Sequence, residues 1–113
     1  MIYLQAALFC EARSLISDLQ LKALPALGHF QRWGDGETLL TLSGTGPYAA
    51  CTCAAMTLAG RDREAGDLFV SLGTCAALTD RAEIGALYHV HAIRELASGH
   101  VVYPEMLLDL HLP

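Results

Sequence analysis

The chain has 113 residues, 53% of them apolar and 17% charged, and a net charge of −5. The length fits one domain, and seven Lys/Arg spread along an acidic chain give no electrostatic footprint for nucleic acid. No apolar run approaches the ~18 residues of a membrane span, and the start lacks a signal-peptide pattern, so the chain reads as a soluble cytoplasmic protein. The apolar surplus predicts a sheet covered on both faces, or a surface buried by a partner or by further sequence.

Residues 2–9 form a continuous apolar run of strand length, as expected for a strand buried on both faces. Ala12, Leu15, Ile16 and Leu19 then recur at helical spacing. They predict an amphipathic helix over about 11–22, with Glu11 at its start and Pro25 and Gly28 ending it. Residues 29–33 and 37–42 flank Gly34-Asp35-Gly36, a link typical of a β-hairpin.

Ser43-Gly44-Thr45-Gly46 follows as a turn, with Pro47 at a first helical position that tolerates it. The helix it opens runs to about residue 58 or 59, and 60–64 is a charged loop. Residues 67–72 predict the next strand, broken by Gly73-Thr74. Ile84-Gly85 introduces 86–95, whose alternation predicts a further strand. Ser98-Gly99 turns the chain into a last strand at 100–103, and 104–112 fits a short helical turn. The order β-α-β-β-α-β-β indicates a single α/β domain over 1–113, a sandwich with a mostly parallel or mixed central sheet.

Four cysteines (Cys10, Cys51, Cys53 and Cys75) make no CxxC pair. Cys51 and Cys53 point to different sides of a helix, which is poor geometry for a shared metal, so the set reads as buried reduced thiols. His89 and His91 share a face of the expected strand. With no third ligand in a matching place they read as surface or satisfied histidines. Tyr103-Pro104-Glu105 reads as a turn with an aromatic anchor. Neither a metal nor a cofactor is expected.

Three places could carry chemistry. Glu11 lies at a strand-to-helix junction, where helix N–H groups favour the ionised carboxylate; this fits a general base and an ordinary first-turn acid equally. Gly44-x-Gly46-x-x-Ala49 satisfies the dinucleotide fingerprint and lies between a strand and a helix. It lacks the expected acid at the end of the next strand. Glu64 and Asp67 precede that strand, and Ser71, Gly73 and Thr74 close it. Ser71-Leu72-Gly73-Thr74-Cys75-Ala76-Ala77-Leu78 is a second small-residue turn leaving a strand. In open α/β sheets ligands bind beyond the carboxyl ends of strands, and these three ends suit water activation and hydrogen bonding to a sugar.

Taken in order, these segments resemble the nucleoside phosphorylase superfamily, which includes purine and uridine phosphorylases, and in particular its methylthioadenosine/S-adenosylhomocysteine nucleosidase-like branch. Leu8-Phe9-Cys10-Glu11-Ala12 matches an opening strand with an acid just after it. Ser43-Gly44-Thr45-Gly46-Pro47-Tyr48-Ala49-Ala50 is similar to the family's S-G-x-G-x-x-A-A turn. Gly73-Thr74-Cys75-Ala76-Ala77-Leu78 is like its G-[ST]-[AC]-G-[GA]-L turn. Ala82-Glu83-Ile84-Gly85-Ala86-Leu87 resembles its entry to the next strand, and residues 99–106 resemble the G-x-x-[FY]-Y-P-[DE]-[ILM] stretch of some relatives.

The resemblance implies the amino-terminal half of a three-layer α/β sandwich that cleaves an N-glycosidic bond in a purine nucleoside. Glu11 then matches the acid that activates water. Ser43, Gly44 and Thr45 lie beside that water and the ribose, or hold phosphate; Gly73 and Thr74 border the same sugar or anion. Ser71 stands where many phosphorylases carry an arginine for phosphate, which favours water as the nucleophile. Ala76 replaces a usual glycine and Ala86 a common aspartate.

Family members are about twice as long, and the remaining half carries the ribose-binding Met-Glu element and the Asp that protonates the base. Neither Glu105 nor Asp109 sits in such a motif. The expectation is therefore a protein weakly active or inactive alone, a homo-oligomer or the mate of a complementing carboxy-terminal chain. The rivals are a non-catalytic phosphorylase-like binding or oligomerisation module and, further off, a small nucleotide-binding α/β domain.

Overall fold

A computed structural model describes residues 1–62 and 64–104. The chain divides into two compact units, Met1–Cys75 and Ala76–Pro113.

The first unit is an α/β structure with a five-stranded mixed sheet and two helices. Strand β1 (Ile2–Ala6) is followed by helix α1 (Phe9–Asp18). Strands β2 (Lys22–Leu27), β3 (Phe30–Gly34) and β4 (Thr38–Leu42) come next, then helix α2 (Pro47–Leu58) and strand β5 (Leu68–Leu72). The sheet order is β2-β3-β4-β1-β5. β1 is parallel to β4 and to β5, whereas β3 is antiparallel to β2 and to β4.

The opening strand is shorter than its apolar run predicts. It stops at Ala6, and Leu8 is the extended residue before α1. Glu11 sets this boundary: its Oε1 accepts the Leu8 N–H at 3.0 Å, so the helix begins at Phe9 and Glu11 occupies its third position rather than its start.

The far end of α1 also departs from expectation. Gln20 adopts a left-handed φ of 55°. Its N–H bonds to Ser17 O at 3.1 Å, and the Leu21 N–H bonds to Ile16 O at 2.9 Å. This Schellman-type end frees the chain to enter β2, an element the sequence reading placed partly in the helix. Pro25 and Gly28 therefore end no helix. Pro25 lies within β2, where a missing N–H is tolerated because β2 is an edge strand.

The β3–β4 hairpin is present. Asp35 Oδ1 accepts the N–H groups of Glu37 at 2.9 Å and Thr38 at 2.7 Å, and Gly36 supplies the left-handed φ of 93° that the turn requires.

Strand alternation sorts the core. Leu4 and Ala6 of β1, with Leu40 and Leu42 of β4, pack with Ala12, Leu15 and Ile16 of α1, and with Leu21 and Trp33. Ala12 and Leu40 have no exposed surface. Burying a side chain such as Leu40 stabilises by about 1.5–3 kcal/mol. Tyr3 and Gln5 project from the other face of β1. There the Gln5 Nε2 donates to Ala50 O, in the first turn of α2, at 3.1 Å. Cys53 and Thr57 are the buried side chains of α2.

The second unit carries less regular structure than its alternation predicts. In place of a strand over 86–95 and another over 100–103 there is a two-stranded antiparallel pair, β6 (Ile93–Arg94) and β7 (Val101–Val102). The Ser98-Gly99 turn joins them, with Gly99 at φ 73° and the Glu95 N–H bonded to His100 O at 2.8 Å. None of residues 76–104 is buried, and Leu78, Ile84 and Leu96 are almost wholly exposed. Without a covering layer, apolar alternation has no face to bury and does not hold a long strand. His89 and His91 lie outside both short strands, so no common strand face unites them. The expected helical turn over 104–112 lies beyond the described residues, apart from Pro104. No helix among the described residues is long and apolar enough to cross a membrane.

Candidate functional site

The parallel half of the sheet brings three strand ends to one rim. Ala6 is in register with Leu42 on one side and with Leu72 on the other. The segments that follow these residues carry Glu11, the turn at 43–46, and Gly73-Thr74. All the residues singled out from the sequence for sugar or anion chemistry thus leave the carboxyl ends of three adjacent parallel strands.

Glu11 and Thr74 meet across this rim. The Thr74 N–H donates to Glu11 Oε2 at 2.7 Å and the Thr74 hydroxyl to the same oxygen at 3.2 Å. The other oxygen, Oε1, takes the Leu8 N–H. These bonds, led by the Thr74 N–H, hold the Glu11 carboxyl below its ordinary range. The group is therefore an ionised clamp between the segment after β1 and the segment after β5. Gly73 lies close beside it: a Cβ there would stand 3.2 Å from Glu11 Oε2, and the carboxylate would have to give by a few tenths of an ångström.

Between the other two strand ends, the β1–β4 ladder continues beyond the strands. The Ser43 N–H bonds to Ala6 O at 2.9 Å and the Gly44 N–H to Ala7 O at 3.0 Å. Ser43 is buried, and its hydroxyl donates to Gly44 O at 2.8 Å. That hydroxyl is spent on the backbone rather than presented at the rim. Thr45 and Gly46 are exposed. Gly44 at φ 78° and Gly46 at φ 98° need glycine, and Gly46 is the residue that caps α2 without a side-chain hydrogen bond. Pro47 has no N–H and the Ala50 N–H bonds to Gly46 O at 3.1 Å, so in the first turn the N–H groups of Tyr48 and Ala49 are left to solvent or to a ligand.

The sequence reading missed Gln5. It is buried, tied to the first turn of α2, and in register with Thr41 and Ser71. The available signal was a polar residue interrupting the apolar run 2–9. Gln5 Oε1 and Thr41 Oγ1 are buried without a hydrogen-bond partner among the described residues. The cysteines also differ from expectation: Cys53 alone is buried, whereas Cys10, Cys51 and Cys75 are exposed. Cys51 and Cys53 do take opposite sides of α2.

A shallow cavity of about 300 Å³ lies at the amino ends of β1 and β5, away from this rim. Met1, Tyr3, Arg61, Asp62, Glu64 and Asp67 line it. The Met1 ammonium pairs with Asp67 at 3.0 Å, and the Arg61 guanidinium stands 5.7 Å from the centre of the Tyr3 ring. None of the residues picked out from the sequence for sugar or anion chemistry reaches it.

No protein-family model, curated protein or solved structure matches this chain.

Proposed function

We propose that the chain is part of a nucleoside phosphorylase-like three-layer α/β sandwich that binds a purine nucleoside at the carboxyl rim of β1, β4 and β5. On its own it cleaves the N-glycosidic bond weakly or not at all. The observation that carries this reading is the Glu11–Thr74 clamp, in which residues 63 positions apart share a 2.7 Å hydrogen bond where three parallel strands end. The layering is supported by α1 packing against Ala6 and Leu40 while Gln5, on the opposite side of β1, ties to α2. Free, exposed thiols at Cys10, Cys51 and Cys75 suit a reducing, cytoplasmic setting.

The chemistry of the clamp decides between turnover and binding. A carboxylate offers about four acceptor positions, and Glu11 uses three of them on Leu8 and Thr74. The Ala7 N–H also bears on the carboxyl, and what acceptor capacity is left serves a ribose hydroxyl or an attacking water. A carboxyl held below its ordinary range orients such a group well but takes its proton poorly at neutral pH. At the end of β4, the N–H groups of Tyr48 and Ala49, in the first turn of α2, are donors for a second hydroxyl or an anion. Cleavage also needs an acid to protonate the departing base, and no described residue is placed at the rim for that role. The same engagement of Glu11 favours a second reading, a non-catalytic phosphorylase-like binding module.

Calorimetric titration with methylthioadenosine, with chromatography for released adenine on the same sample, tests both. The expected result is saturable binding, weakened about tenfold in Glu11→Gln by loss of a charged hydrogen bond, with adenine release near background. Robust release abolished by Glu11→Gln overturns the inactive reading, and absence of nucleoside binding overturns the site.

A further inference from the structure

The two edges of the five-stranded sheet are built differently. β2 carries Lys22, Pro25 and a register shift between Leu24 and Leu27, three features that discourage another strand from adding to it. β5, with the sequence Leu-Phe-Val-Ser-Leu, has none of them. It contains no charge, proline, glycine or bulge, and among the described residues no strand lies beyond it.

The orientation of its backbone follows from one bond. The Leu68 N–H points inward to Met1 O at 3.1 Å. Along a strand the backbone groups alternate in direction, so those of Leu68, Val70 and Leu72 serve β1 while those of Phe69 and Ser71 face outward. Both outward residues are exposed, with Phe69 at 37%. In register with Tyr3 and Gln5, they share the face of the sheet on which Gln5 reaches α2.

We infer that β5 pairs antiparallel with β5 of a second copy of this chain, joining two five-stranded sheets across a two-fold axis at Val70. An axis there sets Phe69 opposite Ser71 of the partner copy. Both have outward N–H and C=O groups, which is the requirement for a hydrogen-bonded antiparallel pair. The symmetric pair repeats these bonds, while Val70 meets its own counterpart in the intervening non-bonded position. Leu68 then faces Leu72, and Asp67 faces Gly73, so no like charges oppose one another. Each copy carries a net charge of −5, yet residues 68–79 contain no ionisable acid or base of Asp, Glu, Lys, Arg or His type. This edge is where two such chains approach without charge repulsion. A five-residue strand spans about 17 Å, so the contact falls in the small, reversible class of interface, below about 1,200 Å² in total.

Sedimentation equilibrium of the 113-residue chain from about 10 μM to about 1 mM tests the pairing. The expected mass rises from one copy towards two. Phe69→Lys/Ser71→Lys places like charges opposite each other at both bonded pairs and weakens association at least about tenfold relative to Phe69→Lys/Ser71→Glu, whose opposite charges meet at the same positions. Both double variants alter exposed side chains and leave the ladder to β1 intact, which far-UV dichroism verifies. Amide hydrogen exchange gives a second reading on the unmodified chain: protection of Phe69 and Ser71 increases with protein concentration, and that of Val70 does not. A single-copy mass throughout the range, equal association of the two double variants, or concentration-independent exchange at Phe69 and Ser71 overturns the proposal.

Discussion

Residues 2–72 and residues 76–104 are both rich in apolar side chains, yet they end in opposite states. The first stretch contains every buried residue among those described, including Leu40 and Ala12 with no exposed surface. The second contains none, and Ile84 is as exposed as in an extended chain. The difference is pairing. β1 has a strand on either side and apolar partners on its faces, so each alternate residue finds a neighbour. In the second unit, two two-residue strands offer no comparable surface. Hydrophobicity predicts that a residue can be buried; only neighbours in register bury it.

The largest expected effect lies in the first region. Leu40→Ala lowers stability by about 2–5 kcal/mol, read from urea unfolding, because it opens a cavity between β4 and α1. Ile84→Ala is the matched control and changes stability by less than about 0.5 kcal/mol. Equal losses at the two positions would break the comparison.

Gly46→Ala comes next. At φ 98° and ψ 157° the residue occupies a region open essentially to glycine, and a Cβ there meets nothing within 4 Å. The cost, about 1–3 kcal/mol, is therefore that of the backbone alone. It is read as lost stability together with displaced amide resonances in the first turn of α2.

Acidification probes the clamp. The Glu11 carboxyl is held below its ordinary value of 4.5, so its contribution is complete above that pH and is lost as the pH falls through the lowered value. Asp35 behaves alike, below its ordinary 3.8, because Thr38 and Glu37 donate to it. Amide exchange at Thr74 and Thr38 should accelerate in that acid range relative to Leu40, beyond the intrinsic pH dependence of exchange. The smallest effect is expected from Gly73→Ala, whose Cβ needs Glu11 Oε2 to give by only a few tenths of an ångström. It shifts the Thr74 amide resonance and leaves global stability within about 0.5 kcal/mol.

Much of the first unit was legible because its signals are local. Asp35 and Gly36 declare the hairpin, and Pro47 after Gly46 declares the start of α2. β2 was not legible. Its Pro25 and Gly28 read as helix stops, while the actual stop is a left-handed Gln20, a conformation that residue type does not advertise. The beginning of α1 was misplaced for a similar reason, since Leu8 has no capping oxygen and Glu11 does the work from within the helix.

At the site, Glu11, Gly73 and Thr74 were legible as types, but their meeting depends on parallel register, which single segments do not encode. Ser43 shows the reverse. Its place in the turn between β4 and α2 was legible, but its hydroxyl turns to Gly44 O.

The central claim is that the carboxyl rim of β1, β4 and β5 binds a nucleoside. Titration of the ¹⁵N-labelled chain with methylthioadenosine, followed by amide resonances, tests it most directly. The account predicts saturable shifts at Gly44, Thr45, Gly46, Gly73 and Thr74, weakened in Glu11→Gln. Shifts confined to the cavity lined by Tyr3, Arg61 and Asp67, or no shifts at any concentration, would contradict it.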